Sequence, residues 1–257
     1  MKPRNTILAV LTCCHLILWI GGVASHLAFG QTPADAQWAA AAFLFLAGLL
    51  VLLTANRTNH IALLAIAAAG FAAEAIGVHT GFPFGRYEYT GVLQPQLFAV
   101  PLVMTAAWMV LVAYIKTMLS GFGLSVWLEA VFASAWMVAI DLVIDPLAAG
   151  ALGYWRWSGA GSYYGIPLQN FIGWFVVSFV VFALLNFSRK TVWQSNVWTT
   201  SIGLSIVLFF SFIALAHHLM PVAAIGFGLC LFHLAMAYRH RLATIRKLHP
   251  PQAASDW

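Results

Sequence analysis

Charge is what this chain has least of. Only 7% of its 257 residues are Asp, Glu, Lys or Arg, where a soluble domain carries about 25%. An ordinary water-soluble enzyme is excluded on that ground. Cysteine is also scarce: Cys13, Cys14 and Cys230 all fall in apolar runs. No CxxC and no Cys/His metal spacing occurs, so neither a disulfide framework nor a zinc site is indicated. There is no HxxxH spacing, which disfavours a histidine-rich di-iron hydroxylase. No basic patch belongs to a soluble fold, so nucleic acid is not an expected partner. No strong internal repeat is present. The loops after the third and fifth apolar segments do each carry aromatic residues around an arginine, a faint parallel echo.

What fills the chain instead is apolar surface. Hydrophobic residues make up 62% of it, and the mean hydropathy is +0.89. The expected fold class is all-α: a polytopic membrane helix bundle of about eight spans, each of about 20 residues. They read as Ile7–Ala28, Trp38–Thr54, Ile61–Thr80, Leu97–Leu119, Val126–Ala148, Ile166–Phe187, Val197–Ala216 and Val222–Tyr238. The first exceeds a signal-peptide core in length and is taken as a retained span. Residues 1–249 form one transmembrane helical domain, and 250–257 read as a disordered tail. Glycines within the spans, such as Gly21, Gly22, Gly226 and Gly228, read as close-packing positions.

The basic residues are sorted. With the N-terminus cytoplasmic, Lys2, Arg4, Arg57, Lys116, Arg189, Lys190, Arg239, Arg241, Arg246 and Lys247 fall on one side, and only Arg86 and Arg156 on the other. That split obeys the positive-inside rule with both termini cytoplasmic. The positive balance therefore reads as topology and contact with membrane lipid.

Against this background three acids stand out. Glu74, Asp141 and Asp145 lie inside or at the edge of spans. A carboxylate there is costly and marks a functional site by default. Glu74 falls about six residues, roughly 9 Å, from the outer end of the third span. Asp141 and Asp145 are spaced i, i+4 and share a helical face. Gln169, Asn170 and Trp174 open the sixth span at the same level. Arg86, Arg156, His79, His217 and His218 belong to that outer layer too. Asp145 precedes Pro146, so the fifth helix is expected to kink or stop there, freeing carbonyls beside the carboxylates. The loops Gly81–Thr90, Gly153–Ser158 and Gly161–Asn170 are dense in glycine, proline and aromatics. Their rings suit either an interfacial belt or an aromatic wall facing a cation.

Bland alternatives stand beside each of these. The aspartates would serve as a structural ion pair with Arg156 or as a cap at a kink. Glu74 would bridge two helices. Arg86 and Arg156 would neutralise the acids. Glu88 and Glu129 read as solvated or snorkelling.

In three patches the chain resembles the integral-membrane carotenoid 1,2-hydratase family. The first is Glu74 with Gly77 and the run Thr80–Thr90. The second is Asp141–Pro146 followed by Gly153–Trp157. The third is Tyr164–Trp174. Ile140 departs from the aromatic that usually precedes the first aspartate, and Gln169 stands where serine is commoner; both bear on substrate fit. The resemblance implies addition of water to the terminal double bond of an acyclic carotenoid, giving a tertiary alcohol. It implies a lipophilic carotenoid substrate with water, association with other enzymes of carotenoid synthesis, and a bacterial or archaeal cytoplasmic membrane.

The chemistry suits the residues. Protonation at the less substituted carbon leaves a tertiary cation that water captures. No cofactor is called for, and no motif indicates one or a metal. Two close carboxyls resist double ionisation, so one keeps a proton to deliver. One of Asp141 and Asp145 is then the acid, while the other or Glu74 orients and deprotonates the water. Asn170 would hold that water. Tyr87, Tyr89, Trp155 and Trp157 would line the cation, with Arg86, Arg156, Tyr164 and Trp174 completing the substrate site. The rival readings are a carotenoid cyclase or isomerase, a membrane prenyltransferase with Asp141 and Asp145 as half of a magnesium–diphosphate site, and a proton-coupled transporter.

Overall fold

The computed structural model describes residues 3–188, 193–194 and 196–248, with side chains in the last helix described through Arg239. Lys2, Arg189, Lys190 and the tail 250–257 lie outside the described residues, and so do the side chains of Arg241, Arg246 and Lys247. The described residues fold into eight apolar helices: α1 (Pro3–Phe29), α2 (Trp38–Thr54), α3 (His60–Thr80), α4 (Met104–Leu119), α5 (Val126–Ala149), α6 (Leu168–Phe187), α7 (Val197–Ala216) and α8 (Met220–Leu248). Among the described residues seven of them are long and apolar enough to cross a membrane, and α4 is a shorter apolar helix. This is an integral membrane bundle, as the composition predicts.

Polar residues set the helix starts. The Ser125 side chain accepts the Leu128 N–H ahead of α5, at 3.4 Å. The Asn196 side chain accepts the Trp198 N–H ahead of α7, at 3.0 Å. Such caps stabilise a helix end by about 1 kcal/mol.

The fourth span departs from expectation. Hydropathy runs on from Leu97, but the helix begins at Met104. Upstream, β2 (Gln96–Leu97) pairs with β3 (Val100–Pro101) in a tight antiparallel turn. The helix is then roughly 24 Å long, less than the hydrocarbon thickness of about 30 Å. Burial explains it. α4 packs against α2, α3, α5, α6 and α7, and nearly all of its residues are buried. A helix ringed by protein need not match the bilayer, and irregular backbone beside it is tolerated.

α5 also runs differently from the sequence reading. It does not stop at Asp145 but continues through Pro146 to Ala149. Proline cannot donate to the carbonyl four residues back, which is Leu142. The Tyr163 hydroxyl donates to that oxygen instead, at 2.9 Å. The helix thus survives its proline because a loop side chain replaces the missing bond.

The two arginine-bearing loops meet. β1 (Tyr87–Tyr89) pairs antiparallel with β4 (Trp155–Trp157), placing Tyr87 opposite Trp157, Glu88 opposite Arg156 and Tyr89 opposite Trp155. Strand alternation puts the four rings on one face and Glu88 with Arg156 on the other. Of the glycines read as packing positions, Gly22 lies against Phe209 and Gly226 against Ser211, whereas a side chain at Gly21 or Gly228 would meet nothing within 4 Å.

Candidate functional site

The site is built where the aromatic ribbon covers the ends of α3, α5 and α6. Glu74, Asp141, Asp145 and Asn170 are 3%, 5%, 1% and 1% exposed. Three helices therefore bring their polar residues to one buried place, as the sequence predicts for the layer. The two aspartates share a face of α5. Asn170, in the first turn of α6, donates from Nδ2 to Asp141 Oδ2 at 2.8 Å and to Asp145 Oδ2 at 2.7 Å. One amide nitrogen thus uses both hydrogens to hold the two carboxyls together.

The remaining donors are rings. Trp155 Nε1 donates to Asp145 Oδ1 at 2.7 Å, and Trp157 Nε1 to the same oxygen at 3.2 Å. The Tyr87 and Tyr89 hydroxyls donate to Glu74 Oε2 at 2.5 and 2.9 Å. Trp108 Nε1 on α4 donates to Glu74 Oε1 at 3.0 Å. Gly70 makes this last bond possible: a Cβ there would lie 2.1 Å from the Trp108 ring. Burial, with the Glu74 carboxyl beside them, pushes the Tyr87 and Tyr89 hydroxyls well above the ordinary phenol range. Both stay protonated, and both stay donors. Burial likewise pushes Tyr163, the partner of the Leu142 carbonyl, up to about 12.

Every donor to the three acids is neutral. Among the described residues the one ion pair joins Lys116 to Glu129, so neither Arg86 nor Arg156 neutralises the aspartates or Glu74. Both arginines are exposed. Tyr164 is 45% exposed and bonds to none of the acids. Tyr87, Tyr89, Trp155, Trp157, Asn170 and Trp174 do gather, and with Glu74 and Asp145 they line a small chamber of about 20 Å³. That is room for about one water molecule. A second, apolar chamber adjoins it. Asp141 opens onto this one, among Leu111, Met137, Ile140, Ile144, Ile206 and Phe210. Met104, Trp155 and Trp174 line both chambers.

Sequence reasoning missed Trp108 and Tyr163. Trp108 is stacked on Trp174, centroids 4.5 Å apart and planes 13° from parallel. Its signal was its depth: an indole far from an interface belt still needs an acceptor for its N–H. Tyr163 was signalled by Pro146, which leaves one carbonyl in want of a donor. Among the described residues no three His, Cys, Asp or Glu side chains are grouped to hold a metal ion. Glu129, read as solvated or snorkelling, is instead paired with Lys116, and Asn186 also accepts from that lysine.

A family model described as "Carotenoid biosynthesis protein" matches residues 37–235. The chain is similar to the bisanhydrobacterioruberin hydratase of Haloarcula japonica, 31% identical over 142 residues, which cover 51% of this chain and 46% of that protein. The match thus spans about half the length of the relative. No solved structure matches.

Proposed function

The chain belongs to the carotenoid biosynthesis protein family, and from that premise we propose that it adds water across the terminal double bond of an acyclic carotenoid. The observation that carries this reading is the pair of adjoining chambers. One is apolar and touched by Asp141; the other is water-sized and lined by Glu74 and Asp145. An alkene and a water molecule need those two environments side by side. The relative's printed name, a hydratase, points the same way.

The donor pattern assigns roles within this reading. Asp145 accepts three hydrogen bonds, from Trp155, Trp157 and Asn170. Asp141 accepts from Asn170. The carboxyl with more donors is the better place for negative charge, and the one facing the apolar chamber the better place for a proton. In this reading the two share one proton. Asp141 gives that proton to the less substituted alkene carbon, whose π electrons form the new C–H bond. The tertiary cation that remains faces the rings of Trp155 and Trp174 and the charge of Glu74 and Asp145. Water in the polar chamber forms the C–O bond and passes its proton to Asp145. The pair again holds one proton, and the net change is one water added.

Glu74 accepts from Tyr87, Tyr89 and Trp108, which fix it as an acceptor beside the water. Arg86, Arg156 and Tyr164 line neither chamber. The membrane supplies the substrate, since a polyene partitions into lipid. The test is conversion of lycopene by membranes holding the full chain, in deuterated and in oxygen-labelled water. Hydration predicts a more polar product heavier by one water, with labelled oxygen on the tertiary carbon and one deuterium on its neighbour. A cyclised product of unchanged mass would replace this reading with a cyclase.

A further inference from the structure

We infer that the long conjugated chain of the substrate lies in a lipid-facing groove between α1 and α2, with its end passing Leu44, Tyr154 and Phe210 to reach Asp141. The inference rests on the carotenoid substrate proposed above and adds where most of that molecule is held. The groove has a volume of about 380 Å³. One side is the stripe Ile17, Gly21 and Ser25 of α1, spaced four residues apart and so on one face. The other side is Trp38, Ala39 and Phe43 of α2, and Phe209 of α7 adds to the lining. Ile17 and Trp38 are 67% and 64% exposed, so the groove opens where lipid would stand.

Two observations favour a polyene over a phospholipid. First, Leu44, Tyr154 and Phe210 line both the groove and the apolar chamber at Asp141. The groove is therefore the outward continuation of the site. Second, no Lys or Arg lines it, so nothing there would fix a phosphate. Three of its polar side chains are already bonded: the Ser25 hydroxyl donates to the Gln31 carbonyl at 2.6 Å, His26 Nδ1 lies 2.9 Å from His217 Nε2, and His26 Nε2 lies 3.2 Å from the Thr32 hydroxyl. What remains is a bed of rings and aliphatic carbon, which suits a flat conjugated chain. Most of one wall, α1, precedes the residues that the family model matches, so the match does not account for it.

Gly21 makes the groove testable. Gly21 lines the groove and a Cβ there meets nothing within 4 Å, so a side chain can be started at this position without an immediate clash. The full chain, purified in mild detergent and loaded with lycopene, is read by pigment retained per protein. Gly21→Trp, and independently Ala39→Trp on the facing wall, are expected to cut retention at least tenfold with helix content unchanged. Asp141→Asn is expected to retain the pigment fully. Retention equal to wild type in both tryptophan variants overturns the inference, and so does a wild type that holds no lycopene. Displacement of the pigment by an equal concentration of a saturated-chain phospholipid overturns it too, and makes the groove a lipid site. Retention that is lost in the variants, from a wild type that adds no water, supports the groove and defeats the hydratase reading instead.

Discussion

Helix α5 carries acids in both of its halves, and the two halves treat them oppositely. Glu129, in the first turn, is paired with Lys116 of α4, and Asn186 of α6 bonds to the same lysine. Twelve residues on, roughly 18 Å along the axis, Asp141 and Asp145 are held by an amide and two indoles. Glu74 of α3 is held by two phenols and a third indole. Glu129 faces a fixed cation. The outer acids face no cation: every group that donates to them is neutral. One cluster is an ion pair; the other gathers three acids among neutral donors, which suits the proton transfer proposed above.

The contrast is broken most directly at Asp141. Asparagine there keeps the shape and loses the proton. Turnover of an acyclic carotenoid is expected to fall by about 10²–10⁴-fold, the usual contribution of a positioned acid, while the amount of protein in the membrane stays at the wild-type level. Chromatography of pigments from matched membranes measures both. Full activity of Asp141→Asn and of Asp145→Asn would remove the distinction between the two halves of the helix.

The converse change is Lys116→Met. It strips the cation from a largely buried pair, which typically costs about 3 kcal/mol or more. Thermal unfolding in detergent should show that loss, and activity per folded molecule should not change. Adding Glu129→Gln should return much of the stability, because the uncompensated charge is then gone. If Lys116→Met instead lowers turnover while the midpoint holds, the inner pair belongs to the chemistry and the comparison fails.

Much of this division was legible in the sequence. Hydropathy gave the helices, and the rarity of charge made three membrane-level acids conspicuous. Topology brought Glu74, Asp141, Asp145 and Asn170 to one layer. Other features depended on contacts that no local pattern encodes. The start of α4 at Met104 was hidden because the residues from Leu97 onward are as apolar as the helix that follows. The passage of α5 through Pro146 rests on Tyr163, a residue from another loop. The pairing of Tyr87–Tyr89 with Trp155–Trp157 joins segments separated by more than sixty residues, and only that pairing turns a faint echo between two loops into the cover of the site. Arg86 and Arg156 drew notice as the exceptional charges of the outer side. Strand alternation, invisible until the register is known, sends Arg156 away from the acids.

Trp108 offers the finest cut, since it was reached through packing alone. Phenylalanine at this position keeps a ring against Trp174 and removes the one N–H that Glu74 Oε1 accepts. A hydrogen bond to a charged acceptor is worth about 1.5 kcal/mol or somewhat more, equivalent to roughly tenfold in rate if it is needed in the transition state. The expected result is a turnover reduced by about that factor, with apparent affinity for the carotenoid unchanged, because the apolar chamber keeps its shape. Gly70→Ala should mimic it by pushing the indole off Glu74. Were Trp108→Phe to weaken substrate binding and leave turnover intact, Glu74 would be part of the walls rather than of the proton chemistry, and the neutral-donor cluster would shrink to Asp141, Asp145 and Asn170.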